Sequence, residues 1–123
     1  MKTKQKFPKS IIFVLAFIII VSCSTSIGKI EASLPDISNK PDGLYRGDYN
    51  LSGTPVKVIL DVTVKNKIIT AIKIIKHSSS SIGKKAEKIT DQIIARQSLD
   101  VDAISGATGS SKAILKAVEN ALQ

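Results

Sequence analysis

Residues 56–64 carry an apolar side chain at every second position, and this period of two constrains the fold more than any other stretch of the chain. The apolar side of such a strand carries Val56, Val58, Leu60, Val62 and Val64. The opposite side carries Lys57, Ile59, Asp61 and Thr63. A strand with this pattern buries one face and exposes the other. The chain therefore requires a sheet that is covered on a single face.

Two neighbouring stretches extend this sheet. Residues 44–49 and residues 69–77 are candidate strands on either side of the alternating run, because they carry the aromatic and β-branched residues that strands favour. Residues 65–67 are too few for anything but a tight turn, and Asn66 at their centre tolerates a left-handed backbone. These pieces predict an antiparallel meander.

The period changes to that of a helix after the last strand. Residues 83–97 place apolar residues at helical spacing, namely Ala86, Ile89 and Ile93. After a loop at residues 98–107, one face of the final run is apolar: Ile114, Ala117, Val118, Ala121 and Leu122. Ser110 or Ser111 is the candidate N-cap of this helix. The sequence thus predicts an α+β fold, a small antiparallel β-meander with helices packed on one face.

The first 22 residues are typical of a bacterial lipoprotein signal peptide. A segment with four lysines precedes an unbroken apolar run of 11 residues at 11–21. That run is shorter than a comfortable membrane span and matches the core of a signal peptide. Ile20-Val21-Ser22-Cys23 ends it and resembles the lipobox, in which the cysteine is lipidated. Cys23 is the only cysteine of the chain.

Cys23 is therefore the expected lipidation site and the first residue of the mature protein. The alternative is a thiol at the end of an uncleaved anchor helix. Several acyl chains together make a durable membrane anchor. We expect a cell-membrane protein held by lipid on the extracytoplasmic face, with residues 23–41 as anchor and flexible tether and residues 42–123 as the folded domain.

The charge of the mature chain argues against nucleic acid as a partner. Without the four lysines of the signal peptide, the net charge of +8 falls to +4. The chain has two tyrosines and no tryptophan, so it lacks an aromatic platform for stacking bases. A mildly basic surface instead suits a membrane or an anionic cofactor.

A loop before the last helix concentrates the residues that suit a phosphate. It contains Asp102, Ala103, Ile104, Ser105, Gly106, Ala107, Thr108, Gly109, Ser110 and Ser111. Hydroxyls and free backbone N–H groups at the start of a helix favour an anion. By composition alone, ordinary turn and capping roles explain Ser105, Thr108 and Ser110 better than a phosphate site does.

The pattern Asp-x-x-Ser-Gly-Ala-Thr at residues 102–108 resembles the flavinylation motif of the FMN-binding domain family. Members of that family include the flavin-carrying subunits of Rnf complexes and of sodium-pumping NADH:quinone reductases, together with small extracytoplasmic lipoproteins. The resemblance covers roughly the whole of the folded domain. It includes the hairpin at residues 64–69 and the Ile82-Gly83 pair that opens the next helix.

The resemblance implies a covalent cofactor. In the family, a magnesium-dependent FAD:protein FMN transferase joins FMN from FAD to the last hydroxyl residue of the motif through a phosphoester. On this chain the acceptor is Thr108, and the matching cofactor-binding positions are Asp102, Ser105, Gly106 and Ala107. No catalytic residue and no metal site are expected.

The resemblance further implies an extracytoplasmic electron-transfer flavoprotein that exchanges electrons with a membrane donor such as a quinone dehydrogenase. The alternative is a lipoprotein binding module that holds flavin without a covalent bond or has a structural role. His77, the only histidine, is expected to be solvated at a strand end, and the alternative is a place near the flavin ring, where it would tune the redox potential. Residues 78–81 are expected to form a flexible loop, with a place in the flavin pocket as the functional alternative.

Overall fold

A computed structural model of the chain describes residues 32–123. Three antiparallel strands lie in the order β1-β2-β3: β1 Gly43–Asn50, β2 Lys57–Lys65 and β3 Ile68–Ser78. A 3₁₀ helix, Gly83–Lys88, runs directly into α1, Ile89–Arg96, and α2, Thr108–Leu122, ends the fold. The predicted α+β meander with helices on one face is confirmed. None of the helices in the described part of the chain is long and apolar enough to cross a membrane.

The core lies between the inner face of the sheet and the helices. The alternating residues of β2 supply its floor, since Val58, Leu60, Val62 and Val64 are all fully buried. The predicted apolar face of α2 packs against that floor. A domain of this size owes its stability mainly to such a single apolar layer.

The outer face of the sheet is held by a charged pair. Arg46 of β1 lies opposite Asp61 of β2, and its Nε and Nη2 donate to the two carboxylate oxygens at 2.7 and 2.9 Å. This bidentate contact lowers the pKa of Asp61. The carboxylate of Asp61 thus lies on the outer face of the sheet and is paired there with Arg46.

The β2–β3 hairpin turns in two residues, Asn66 and Lys67. Both have positive φ, 52° and 65°, which is the signature of the primed turn that matches the twist of a hairpin. The expected left-handed Asn66 is confirmed, and Lys67 adopts the same region. The Asn66 N–H donates to Asp42 Oδ1 at 2.8 Å, which connects the turn to the start of β1.

Two details of the predicted helices are corrected by the structure. The expected single helix at residues 83–97 is a 3₁₀ helix followed by α1, and it ends at Gln97 with a left-handed backbone. The last helix begins at Thr108, so Ser110 and Ser111 lie inside its first turn and do not cap it. Their hydroxyls have partners elsewhere, which removes them from the capping role.

Residues 32–41 pack against the domain. Ile37 belongs to the buried core, and the Tyr45 hydroxyl donates to the Pro41 carbonyl at 2.7 Å. Lys40 Nζ donates to the carbonyl of Gln123 at 3.1 Å. The folded body thus extends N-terminal to the expected boundary at Asp42. The signal peptide, Cys23 and the first part of the expected tether lie outside the described residues.

Gly47 allows α2 to approach β1 closely. A Cβ built at Gly47 would overlap the carbonyl oxygen of Ala117 and lie 2.7 Å from the Cβ of Ala121. The helix therefore rests on the bare backbone of the strand. This contact fixes the height and angle of α2, and with them the position of its first residue, Thr108.

We expect Gly47→Ala to lower the free energy of unfolding by about 1–3 kcal/mol, since the added methyl overpacks this contact. Gly43→Ala in the same strand is the matched control, because its Cβ would meet only Tyr45 Cε2, at 3.9 Å. Urea unfolding of both variants measures the difference. Equal stability of the two variants would contradict the proposed close packing.

Candidate functional site

A cleft of about 320 Å³ opens beside the start of α2. Three segments that are distant in sequence line it. The β1–β2 loop contributes Pro55 and Val56, and the segment between β3 and the 3₁₀ helix contributes Ser79, Ser80, Ile82 and Gly83. The third segment is residues 106–110. The cleft therefore exists only because the sheet brings its two loop ends against the last helix.

The start of α2 has no capping group of its own. Ala107 is the N-cap, with φ −130° and ψ 37°, and no side chain accepts a hydrogen bond there. The first turn contains no acidic residue. Helices carry partial positive charge at this end, where the first backbone N–H groups lack partners within the helix. This end of the cleft is consequently suited to an anion.

Three hydroxyl side chains in the first turn of α2 have different surroundings. Thr108 is exposed and lines the cleft. Ser110 is buried, with its Oγ 2.8 Å from Ser79 Oγ. Ser111 is fully buried, and its hydroxyl donates to the Ala107 carbonyl at 2.8 Å while accepting from the Ile104 N–H at 3.0 Å. Thr108 is therefore the hydroxyl of this turn that a reagent in solvent can reach.

The loop that leads to Thr108 is held by buried side chains at its start and by hydrogen bonds at its end. Leu99 and Val101 are buried in the core, and the Ala107 N–H donates to the Ile104 carbonyl at 2.9 Å. Ser111 adds its two hydrogen bonds to the same stretch. The backbone before Thr108 is thus held by the helix that follows it.

Two glycines shape the walls of the cleft. Gly106 has φ of +79°, a conformation that other residues rarely adopt. A Cβ at Gly83 would overlap Ser79 Oγ and lie 2.7 Å from Ser110 Oγ. Gly83 therefore lets the 3₁₀ helix pack against the Ser79–Ser110 pair. Gly106 leaves exposed backbone without a side chain beside the cleft, whereas the space beside Gly83 is filled by the two serines.

His77 is buried, so the expectation that it is solvated is wrong. Its side chain is 2% exposed, and Nδ1 lies 3.0 Å from Glu87 Oε1 of the 3₁₀ helix. Nε2 is buried and has no hydrogen-bond partner among the described residues. The ring lies on the inner face opposite Val58, two residues before Ser79 of the cleft wall. It joins β3 to the 3₁₀ helix next to the cleft.

The structure separates the residues that the motif groups together. Gly106, Ala107 and Thr108 line the cleft, whereas Asp102 and Ser105 are exposed on the preceding loop and are not among its lining residues. From the serine-rich stretch, Ser79 and Ser80 form part of the wall. Pro55 and Val56 are not predicted as site residues. The alternating pattern assigns Val56 to the apolar face of the strand, whereas the structure places it in the loop before β2, where it lines the cleft with Pro55.

The comparisons with known proteins agree with this geometry. The family model described as the FMN-binding domain matches residues 52–123, which includes every residue of the cleft. This chain belongs to the FMN-binding domain family. The predicted family is thereby confirmed, and membership of it supports flavin binding by this chain. Residues 42–51 lie before the matched region, although β1 is an integral part of the sheet.

Two relatives show the context in which such a domain occurs. One is an uncharacterized protein of Treponema pallidum (strain Nichols), 36% identical over 84 residues, which are 67% of this chain and 23% of that protein. Another is an NADH:acrylate oxidoreductase of Vibrio harveyi, 36% identical over 93 residues, which are 72% of this chain and 9% of that protein. The chain thus spans a quarter or less of the length of these relatives.

The residues present fit a phosphate-linked flavin. The exposed Thr108, the uncapped end of α2 and the side-chain-free backbone at Gly106 meet in one cleft. The hydroxyl supplies an attachment point, and the helix end favours the negative charge of a phosphate.

We expect Ser111→Ala to destabilise the site more than its small size suggests. It removes a buried hydroxyl that holds both the Ile104 N–H and the Ala107 carbonyl, at a cost of about 1–3 kcal/mol. The exposed Ser105→Ala is the control and should change stability by less than about 0.5 kcal/mol. Thermal unfolding distinguishes the two. A neutral Ser111→Ala would mean that this bridge does not hold the loop.

Proposed function

We propose that this protein is an extracytoplasmic, lipid-anchored electron carrier whose FMN is bound covalently to Thr108 through a phosphoester. The observation that carries the proposal is the position of Thr108. It is an exposed hydroxyl at the first residue of a helix with no capping side chain, on a cleft of the FMN-binding domain.

The surroundings of the neighbouring hydroxyls support Thr108 as the acceptor. Ser110 and Ser111 are buried and their hydroxyls are hydrogen-bonded, so both are less accessible to an incoming phosphorus than the exposed Thr108. Ser105 is exposed, but it lies on the preceding loop and outside the cleft lining. Thr108 alone among these four combines exposure with a place at the helix end.

The attachment reaction requires a separate enzyme. In a magnesium-dependent FAD:protein FMN transferase, the Thr108 oxygen would attack the FMN phosphorus of FAD. An O–P bond forms at Thr108, the pyrophosphate P–O bond breaks, AMP leaves, and the hydroxyl proton passes to a base of the transferase. This chain contributes an accessible hydroxyl and, at Gly106, a backbone that another active site can approach closely.

The bound flavin would supply the redox chemistry, and the protein would supply position and electrostatics. Covalent attachment suits a domain outside the cytoplasm, because a micromolar affinity, about −8 kcal/mol, retains little cofactor in dilute surroundings. One relative is named as an oxidoreductase, which supports an electron-transfer role in general terms. The proposed electron donor is a membrane enzyme such as a quinone dehydrogenase.

The proposed location rests on the sequence before the described residues. The four lysines, the apolar run of 11 residues and the lipobox-like Cys23 together support export and lipid attachment. Residues between Cys23 and the packed segment at 32–41 would connect the domain to the membrane surface. The cleft would then work close to membrane-bound redox partners.

Thr108→Ala should abolish the mass increase caused by FMN when the full chain is produced together with the transferase, whereas Thr108→Ser should keep it. Thr70→Ala is the matched control, since it removes an exposed threonine hydroxyl of β3 outside the cleft lining and should leave attachment intact. Intact mass spectrometry and peptide mapping of residues 102–112 measure the result. Flavin that is lost from the wild type on denaturation would instead support the non-covalent binding module.

Cys23→Ser should abolish the incorporation of fatty acid into the protein, because it removes the proposed site of acylation. Labelling with a radioactive fatty acid, followed by fractionation, compares the variant with the wild type. A wild-type protein that incorporates no fatty acid and keeps residues 1–22 would support the uncleaved anchor helix and contradict the lipoprotein proposal.

A further inference from the structure

We propose that the Lys112 ammonium pairs with the phosphate that links FMN to Thr108, so that this lysine is a positioning residue for the cofactor. The inference rests on the proposed function, because it needs the phosphate at Thr108. It adds a residue outside the Asp-x-x-Ser-Gly-Ala-Thr motif to the site.

The geometry of α2 places Lys112 beside the attachment point. Thr108 and Lys112 are four residues apart, and side chains at this spacing lie above one another on the same face of a helix. Both are exposed, whereas the residues between them are buried or half-buried. Long side chains on a helix lean toward its N-terminus. The Lys112 stem therefore points back toward the turn that begins with Thr108.

Lys112 is available for such a contact, whereas the next lysine of the same face is not. Lys116 Nζ lies 2.7 Å from Glu119 Oε2 and is engaged in that pair. Within residues 32–123, Lys112 has no ion pair and no side-chain hydrogen bond. The exposed Asp102 of the preceding loop, the carboxylate of the motif, does not contact it either. Lys112 is therefore the residue to substitute, and Lys116 serves as the control.

The charge balance favours the contact. A phosphate esterified to both Thr108 and the flavin side chain keeps one negative charge. The first turn of α2 has no carboxylate that would repel it or compete for Lys112. The anion would therefore interact with the helix end from one side and with the ammonium from the other.

The test compares the thermal midpoints of flavinylated and unflavinylated full-length protein at about 0.01 M and about 1 M salt. Flavinylation should raise the midpoint of the wild type. At low salt, the rise should be smaller by roughly 2–5 °C in Lys112→Gln, and Lys112→Arg should recover it. Lys116→Gln should show the wild-type rise. At high salt, the Lys112→Gln deficit should shrink, since screening weakens the pair in the wild type.

A second measurement uses the wild type alone, in case Lys112→Gln is poorly flavinylated. Acetylation with an amine-reactive ester, read by peptide mass spectrometry, should slow at Lys112 after flavinylation, because a neighbouring anion raises the pKa of an ammonium group. Acetylation of Lys65 and Lys67, which are exposed at the β2–β3 turn and outside the cleft lining, should not change.

The outcomes separate the inference from the function on which it rests. A wild-type chain that never gains the mass of FMN overturns the proposed function. A wild type that gains FMN overturns only the inference if Lys112→Gln, once flavinylated, matches the wild type at low salt, or if Lys112 is acetylated equally with and without the flavin.

Discussion

The packing of α2 across the inner face of the sheet determines where everything else in the site lies. Gly47 of β1 has no side chain, so the helix sits against the strand backbone at Ala117 and Ala121. At its far end, Asn120 Nδ2 donates to the Asp48 carbonyl at 2.8 Å, which holds the same pair of elements together. Because a helix is rigid, this contact near its C-terminal half also sets the position of Thr108 about a dozen residues earlier.

The rotation of α2 about its axis determines which of its hydroxyl groups are buried and which is exposed. Residues that face the sheet are buried, and Ser110 and Ser111 fall on that side, where Ser79, Ile104 and Ala107 supply their partners. Thr108 and Lys112 fall on the solvent side. The hydroxyl groups of this turn therefore have two roles. Those of Ser110 and Ser111 form buried hydrogen bonds to the neighbouring segments, and that of Thr108 is exposed and available to react.

The wall opposite α2 depends on a set of close contacts around the 3₁₀ helix. Gly83 accepts the approach of Ser79 and Ser110, and His77 connects the end of β3 to Glu87. A 3₁₀ helix repeats every three residues, so Gly83, Ala86 and Ile89 fall on one buried row. This tight repeat keeps Ile82 at the rim of the cleft, where it is 55% exposed. Gly83 and the Ser79–Ser110 pair thus lie together in the cleft wall.

The sequence by itself determined the meander, the inward face of β2, the left-handed Asn66 and the apolar face of the last helix. Each of these follows from a local period or a local backbone preference. The sequence also predicted family membership, because the motif at residues 102–108 is contiguous. Tertiary structure alone decided that α2 starts at Thr108, that His77 is buried, that residues 32–41 join the core, and that Pro55 and Val56 face the motif. Those outcomes depend on which distant segments meet, and a linear pattern does not record the partners that bury a side chain or satisfy its hydrogen bonds.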